Sequence, residues 1–354
     1  MRGMILAAGF GTRFRPVTFD IPKPMIPLCN RPLIDYAVEA MLAGGVGEIV
    51  VNLHHLPAIL ETHLREKFGS RCGLQFSYES EILGTGGAVR RARELLSGDD
   101  CFFLLNGDTV QFPPLRELEE SRRAANAVAA LLLRHPPDTD RFTEVFFADG
   151  SVTGIGQGEG EPLMFAGAHS LSSRIFQYLP ERDFSGITED VYLPLLGEGV
   201  ERIAAVVYDG PWFDIGTPRR YAEASSTMRE LMIEGKVEIP GGSRVVGETR
   251  SVVATSARMT GSITRSVLAE NTVVEENAAV DECVIWHSAR VGKNARVRRC
   301  ILAQNVEIPP HSSATNALIT RFRDDVSYED FMTRVGDLVI TPIDREKGAE
   351  FEIH

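Results

Sequence analysis

At 354 residues the chain exceeds what one hydrophobic core usually serves, and its 44% hydrophobic and 24% charged residues place it among folded globular proteins rather than disordered or collagen-like ones. A formal net charge of -12 and a pI near 5.3 argue against a nucleic-acid partner, which would need a broad basic face. No apolar stretch approaches the length of a membrane span, and the five cysteines (Cys29, Cys72, Cys101, Cys283, Cys300) are scattered, odd in number and without a CxxC pair.

Neither a disulfide framework nor a zinc site is therefore expected, and the cysteines read as buried thiols. The first apolar run, Met4-Ile-Leu-Ala-Ala8, is too short for a secretory h-region and leads straight into glycines and arginines. A cytoplasmic location is the expectation.

Through the first part of the chain, short apolar runs alternate with helix-like segments, the pattern of βαβ units and a mainly parallel sheet. Strands are expected over residues 3–7, 48–52, 74–78, 101–106 and 127–133, with helices over 33–43, 56–68 and 87–96. Gly44-Gly45 closes the first helix. After His135-Pro-Pro137 the pattern loosens into hairpin-like pieces at 144–147 and 152–155, which read as a substrate-side insertion. A strand returns at 203–208, and 218–234 reads as a helix with Thr217 as N-cap and Pro218 in its first turn.

Beyond Pro240-Gly-Gly242 helical spacing gives way to short apolar residues set among small and charged ones. Ile285, Val291 and Val297 recur every six residues, as do Leu302 and Ile308, which suits a β-helix of roughly 18 residues per coil. A plain β-sandwich is the alternative. The expected organisation is a domain over 1–235, a β-helix over 236–319 and a charged tail over 320–354. The tail either packs on the end of the coil or pairs with another subunit.

An open α/β sheet binds ligands at the carboxyl ends of its strands, so the loops after Ala7 and Asn106 become candidate site loops. The first reads Ala8-Gly-Phe-Gly-Thr-Arg13. Its glycines let backbone N–H groups approach phosphate oxygens, Arg13 adds charge, and Pro22-Lys-Pro24 holds Lys23 in what reads as a stiff, extended segment. A Walker loop would need Gly-Lys-Ser/Thr where Gly-Thr-Arg stands, and the dinucleotide fingerprint fails because Phe14 occupies its third glycine position.

GxGTR followed by Pro-Lys-Pro resembles the signature of the sugar-1-phosphate nucleotidyltransferases, which make NDP-sugars from an NTP and a sugar-1-phosphate. Further matches follow in order: Leu83-Gly-Thr-Gly-Gly-Ala88, Asn106-Gly-Asp108, Phe165-Ala-Gly167 and Trp212-Phe-Asp-Ile-Gly-Thr-Pro218. The resemblance implies a Rossmann-like catalytic domain followed by a short left-handed parallel β-helix, as in mannose-1-phosphate guanylyltransferase-like members. Arg13 and Lys23 are then the catalytic cations. Leu6, Ala7, Ala8, Gly9, Gly11, Thr12, Glu79, Gly84, Thr85 and Gly86 would hold the nucleotide. Gly107, Gly167, Glu189 and Asp190 would meet the sugar, and Asp108 with Asp214 would hold Mg²⁺.

The chemistry asks for such residues. A sugar-phosphate oxygen, already anionic at neutral pH, attacks the α-phosphorus and pyrophosphate leaves, so no general base is needed. What remains is to gather two polyanions and stabilise the spreading charge. The pair Glu79 and Glu81 before Leu-Gly-Thr resembles that of family members that accept GTP, where a carboxylate can accept hydrogen bonds from guanine N1 and N2. This resemblance implies a tilt toward guanine; a surface carboxylate is the alternative reading. Other readings stay open: a uridylyl or thymidylyl enzyme, a regulatory homologue without turnover, or an acyltransferase in the coil using His287 or His311. Glu189-Asp190 serves equally as an acidic pair at a helix N-terminus. The family's Glu-Lys-Pro lysine is missing, since the stretch reads Gly156-Gln-Gly-Glu-Gly-Glu-Pro162. A homo-oligomer assembled through the C-terminal domain is expected.

Overall fold

The computed structural model describes residues 1–137 and 142–353. By contacts the chain divides into two compact units, one of Met1–Phe10, Pro22–Met25 and Leu33–Phe213, the other of Gly11–Ile21, Ile26–Pro32 and Asp214–His354.

The first unit is built on a nine-stranded sheet. Its strands are β1 (Arg2–Leu6), β2 (Glu48–Leu53), β3 (Gly73–Tyr78), β4 (Cys101–Asn106), β5 (Ala129–Arg134), β6 (Glu144–Ala148), β7 (Ser151–Ile155), β8 (Glu161–Ser172) and β9 (Ile203–Val207). They lie in the order β3-β2-β1-β4-β8-β5-β9-β7-β6. The block β3-β2-β1-β4 is parallel, as expected, but β8 runs antiparallel between β4 and β5, so the whole sheet is mixed. Periodicity did not mark this central strand, whose His169, Ser170 and Ser172 interrupt its apolar residues; the Phe165-Ala-Gly167 resemblance falls inside it. The helices of this unit include α1 (Leu33–Ala43), α2 (Pro57–Phe68), α3 (Gly84–Arg91) and α4 (Leu115–Ala124).

The inner strands are buried on both faces, which is why β1, β2, β4 and β5 read as largely continuous apolar runs, whereas edge strand β3 alternates and is less buried. Ile5, Ile49, Val51, Phe103 and Leu105 pack on one side with α1, α2 and α4. Met4, Val50, Phe102 and Leu104 pack on the other with Ala88 and Val89 of α3 and with Ile175, Val191 and Leu195. Helix α1 ends where predicted, with Gly45 at φ +84 and the Val46 N–H closing on the Met41 carbonyl at 3.0 Å. Helix α4 was not foreseen, because two of the positions it buries are charged. Its buried face is Leu115, Leu118, Glu119 and Arg122, and Arg122 donates to Glu119 at 2.7 and 2.8 Å.

The second unit opens with the Gly11–Ile21 loop and carries helix α5 (Pro218–Ile233), capped as predicted by Thr217, whose Oγ1 accepts from the Arg220 N–H at 3.3 Å. From Ser251 the chain winds as a β-helix whose strands stack in parallel on separate faces. Val284 pairs with Ile301 and Arg290 with Glu307, an advance of 17 residues, one short of a strict hexapeptide coil, while at the start of the coil Val252 pairs with Val267 and Arg258 with Val273, an advance of 15. The 17-residue advance explains why Val297 is followed by Leu302 at a step of five rather than six. The expected residues Ile285, Val291, Val297, Leu302 and Ile308 are all buried inside.

Corners are marked by residues in the left-handed region: Asn271, Asn277, Asn294, Asn305 and Asn316 among them, with φ between 57° and 60°. Asparagine tolerates that conformation better than other residues with a Cβ. The tail folds back onto the coil. Strand Leu338–Pro342 pairs antiparallel with Ala317–Arg321, and Glu350–Ile353 pairs antiparallel with Ser312–Thr315.

All five cysteines are free thiols, four of them buried and Cys72 half-buried. Among the described residues no helix is long and apolar enough to cross a membrane, and no group of three or more His, Cys, Asp or Glu side chains is placed to hold a metal ion.

Candidate active site

In the first unit the site begins where parallel strands end level. Leu6 pairs with Asn52 on one side and Asn106 on the other, so the carboxyl ends of β1, β2 and β4 form one edge. Asn52 organises that edge. Its Oδ1 accepts from the Ala7 N–H at 2.7 Å, and its Nδ2 donates to Glu79 at 2.7 Å. The second oxygen of Glu79 accepts from the Leu83 N–H at 3.1 Å. Glu79 is buried and both its oxygens are engaged, so it frames the loop before α3, while Glu81 is exposed.

A cavity of about 250 Å³ opens at this edge. It gathers Leu6, Ala8, Gly9, Glu79, Gly84, Thr85 and Asp108 from the sequence-derived set, with Asn52, Ile82 and Asn106, which that set omitted. The omitted asparagines did carry a signal, since each closes an apolar strand run at its carboxyl end. Ala7 and Gly107 are buried just behind, and the Gly107 N–H donates to the Leu6 carbonyl at 2.9 Å.

The glycines of the α3 loop meet the chain's own backbone. A Cβ on Gly84, whose φ is +71°, would stand 2.5 Å from the Ser185 carbonyl oxygen, and the Gly86 N–H donates to that same oxygen at 2.8 Å. Thr85 Oγ1 accepts from the Ile187 N–H at 2.8 Å. The 185–187 segment is held in turn by Asp190, which accepts from the Gly186 N–H at 2.8 Å. Arg182 and that backbone donor hold the Asp190 carboxyl below the usual carboxylate range. Glu189 and Asp190 thus sit in the first turn of a helical segment, Thr188–Tyr192. Gly167 lies in the irregular stretch of β8 at φ +93°, close against the Asn106 amide.

Lys23 departs from the expected extended form. Residues Lys23–Met25 make a 3-10 turn, closed by the Met25 N–H on the Pro22 carbonyl at 2.8 Å. Proline is tolerated because its missing N–H falls in a first turn, where no intrahelical partner is lost. The turn buries the lysine stem and sends Nζ to Asp108 Oδ2 at 2.6 Å; the side chains are 8% and 39% exposed. Oδ1 of Asp108 has no hydrogen bond among the described residues.

In the second unit Gly11, at φ +63°, turns the chain into the 3-10 turn Thr12–Phe14, and the Phe14 N–H and Thr18 Oγ1 both donate to its carbonyl, at 2.9 and 3.0 Å. Phe14 is fully buried with its ring 5.6 Å from that of Tyr221, edge to face, so the residue that broke the dinucleotide fingerprint anchors the loop. Arg13 is left exposed. A Cβ on buried Gly216 would stand 3.2 Å from both Arg13 Nη1 and Asp214 Oδ2, so this glycine admits both side chains. Arg220, another residue the sequence set omitted, pairs with Asp214.

A family model described as nucleotidyl transferase matches residues 2–230. The chain belongs to the nucleotidyl transferase family. A second model, the GlmU-like C-terminal hexapeptide, matches residues 241–316 of this nucleotidyl transferase. The mannose-1-phosphate guanyltransferase of Candida albicans is 27% identical over 343 residues, 87% of this chain and 92% of that one. Mannose-1-phosphate guanylyltransferase 1 of Arabidopsis thaliana is 26% identical over 337 residues, covering 90% and 86%. The crystal structure of HddC from Yersinia pseudotuberculosis is similar with a TM-score of 0.54 and 26% identity, over 64% of this chain and 99% of that one.

Proposed function

We propose that this chain transfers a nucleoside monophosphate from an NTP, with GTP favoured, to a sugar-1-phosphate, with mannose-1-phosphate favoured. The observation that carries the reading is the likeness to mannose-1-phosphate guanyltransferases, which runs through both regions of the chain rather than one motif. The preference for guanine rests on those relatives, since the oxygens of Glu79 are already engaged.

In the reaction an oxygen of the sugar phosphate forms a bond to the α-phosphorus, and the bond from that phosphorus to the oxygen bridging toward the β-phosphorus breaks. Pyrophosphate leaves with the electron pair. Arg13 receives the β,γ-phosphates, and Lys23, held by Asp108, faces the charge that spreads over the α-phosphoryl group. The glycine turn supplies N–H donors to the nucleotide phosphates.

Asp108 and Asp214 suit Mg²⁺, an ion commonly bound through one or two carboxylates with phosphate oxygens completing its shell. Each is half-buried and paired with a cation, Lys23 or Arg220. When bound, the ion would neutralise phosphate charge. Because the family's Glu-Lys-Pro lysine is replaced by a glycine-rich turn between β7 and β8, the sugar phosphate is held by other residues.

The test is a matrix of four NTPs against several sugar-1-phosphates, scored by pyrophosphate release with Mg²⁺. GTP with mannose-1-phosphate is expected to lead. GTP as the poorest nucleotide overturns the base assignment, and no turnover with any pair overturns the reaction.

A further inference from the structure

The second unit contains a cavity of about 540 Å³, within the range of ligand pockets, lined at one side by Thr12, Arg13 and Arg15 of the signature loop and at another by the C-terminal tail. Four guanidinium groups border it: Arg13, Arg15, Arg219 and Arg345. Only two carboxylates do, Glu329 and Asp344, in a protein whose net charge is -12. The cavity therefore runs against the charge of the whole chain.

How those arginines are held matters more than their number. Arg345 lies over the Phe331 ring at 3.7 Å and Arg15 over Phe19 at 5.1 Å. A guanidinium stacked on an aromatic face keeps its N–H groups in the plane, free to meet an oxyanion in a forked geometry. Glu329 stands 3.8 Å from Arg345, too far for a hydrogen bond, and Asp344 pairs with Lys347. The N-terminus of α5 also opens here through Thr217 and Pro218, and a helix N-terminus favours anions.

A second, independent observation points to a ligand. Thr341 lines the same cavity, is 2% exposed, and among the described residues its Oγ1 has no hydrogen-bond partner. Leaving a buried hydroxyl unsatisfied is costly, so an acceptor oxygen in the cavity would meet a real need.

We propose that this cavity binds a diphosphate group, and that the C-terminal tail completes it through Arg345 and Thr341. The proposal rests on the nucleotidyl-transfer reading, in which Arg13 meets the β,γ-phosphates, and it assigns the tail a direct part in holding them. Two tail residues, remote in sequence from every motif, thereby share the phosphate-holding role given to Arg13.

The experiment titrates pyrophosphate into the full-length protein by calorimetry, then repeats the titration with Arg345→Ala and with Thr341→Val, and with GTP as a second titrant. Thermal melting checks that both variants are folded. Arg345→Ala is expected to weaken pyrophosphate at least tenfold and Thr341→Val severalfold. Equal weakening of GTP means the tail grips the β,γ-phosphates from NTP binding onward; weakening of pyrophosphate alone means it grips the product, and either supports the site. Wild-type affinity in both folded variants overturns it. Turnover with pyrophosphate affinity indifferent to both residues ends the tail site and keeps the reaction. Arg345-dependent pyrophosphate binding without turnover on any substrate pair ends the reaction and keeps the site.

Discussion

Replacing Asp108 with Asn removes one negative charge from the carboxyl edge of the sheet and leaves the Lys23 ammonium, 8% exposed, facing a neutral amide. The structural effect should be modest. Asp108 is 39% exposed, so water can reach the pair, and the loss falls between exposed ion pairs at about 0.2–1 kcal/mol and buried ones at about 3–5 kcal/mol. About 1–2 kcal/mol is the expectation, a fall of a few degrees in melting temperature. Turnover should suffer far more. If the carboxylate acts where charge spreads in the transition state, its removal costs on the order of 10³-fold, about 4 kcal/mol of barrier. Two assays separate these scales: guanidinium melts for stability and pyrophosphate release for rate. Lys23→Met should impair turnover similarly, and the double variant should be little worse than either single one, because the pair works as a unit. Wild-type turnover in Asp108→Asn with Mg²⁺, or a double loss equal to the product of the single losses, would refute this reasoning.

A pH effect follows from His169, which is buried beside Tyr192 with its pKa pushed down to about 3 by burial, against 6.5 for a free histidine. Between those values the unfolded chain binds a proton that the folded one does not, so stability is full above the unfolded pKa and falls with acidification. Lowering pH from 7 to 5 should cost about 2 kcal/mol through this residue; urea melts of wild type and His169→Gln at both pH values should differ by that amount, and identical pH slopes would contradict it. Gly84→Ala places a Cβ 2.5 Å from the Ser185 carbonyl in a left-handed conformation, so it should shift the α3 loop, raise KM for the NTP several-fold and lower stability by about 1–2 kcal/mol. An unchanged KM counts against the place of that loop in the nucleotide site. In the coil, Asn277→Ala at φ 58° should cost about 1 kcal/mol while Asn277→Gly stays near neutral, as read from denaturant midpoints. Equal stability of the Ala and Asn forms would remove the corner argument.

What the sequence disclosed, and what it hid, follows from where each signal resides. Strands β1, β2 and β4 were legible because their apolar runs report burial on two faces, β3 because Leu74, Phe76 and Tyr78 alternate with polar residues, and helix α1 because Gly44-Gly45 reports its end. Helix α4 was not, since Glu119 and Arg122 satisfy each other inside the core and thereby erase the hydrophobic period. The coil was visible in Ile285, Val291 and Val297, but the advance of 17 residues there was carried by the asparagines at its corners, a backbone signal rather than a burial one. At the candidate site, Lys23 and Asp108 could each be marked from motifs, yet their 2.6 Å contact spans 85 positions and needs the fold to be seen. The engagement of Glu79 by Asn52 and by the Leu83 N–H belongs to the same kind: no local pattern tells that a carboxylate is already occupied.

The ends of the coil govern what the chain can do in company. A stack of parallel rungs could in principle be extended by a second copy, rung upon rung, into a filament. Here two faces of the last coil are covered. Leu338–Pro342 and Glu350–Ile353 reverse direction over two of its faces, and on the third the strand Glu307–Ile308 runs straight into Pro309 and Pro310, which have no N–H to give. At the opposite end, Ser243–Val246 lies antiparallel on Ser251–Ala254. Rung-upon-rung extension is thus obstructed at these strands, so the repeat that builds the coil does not by itself commit the protein to polymerise.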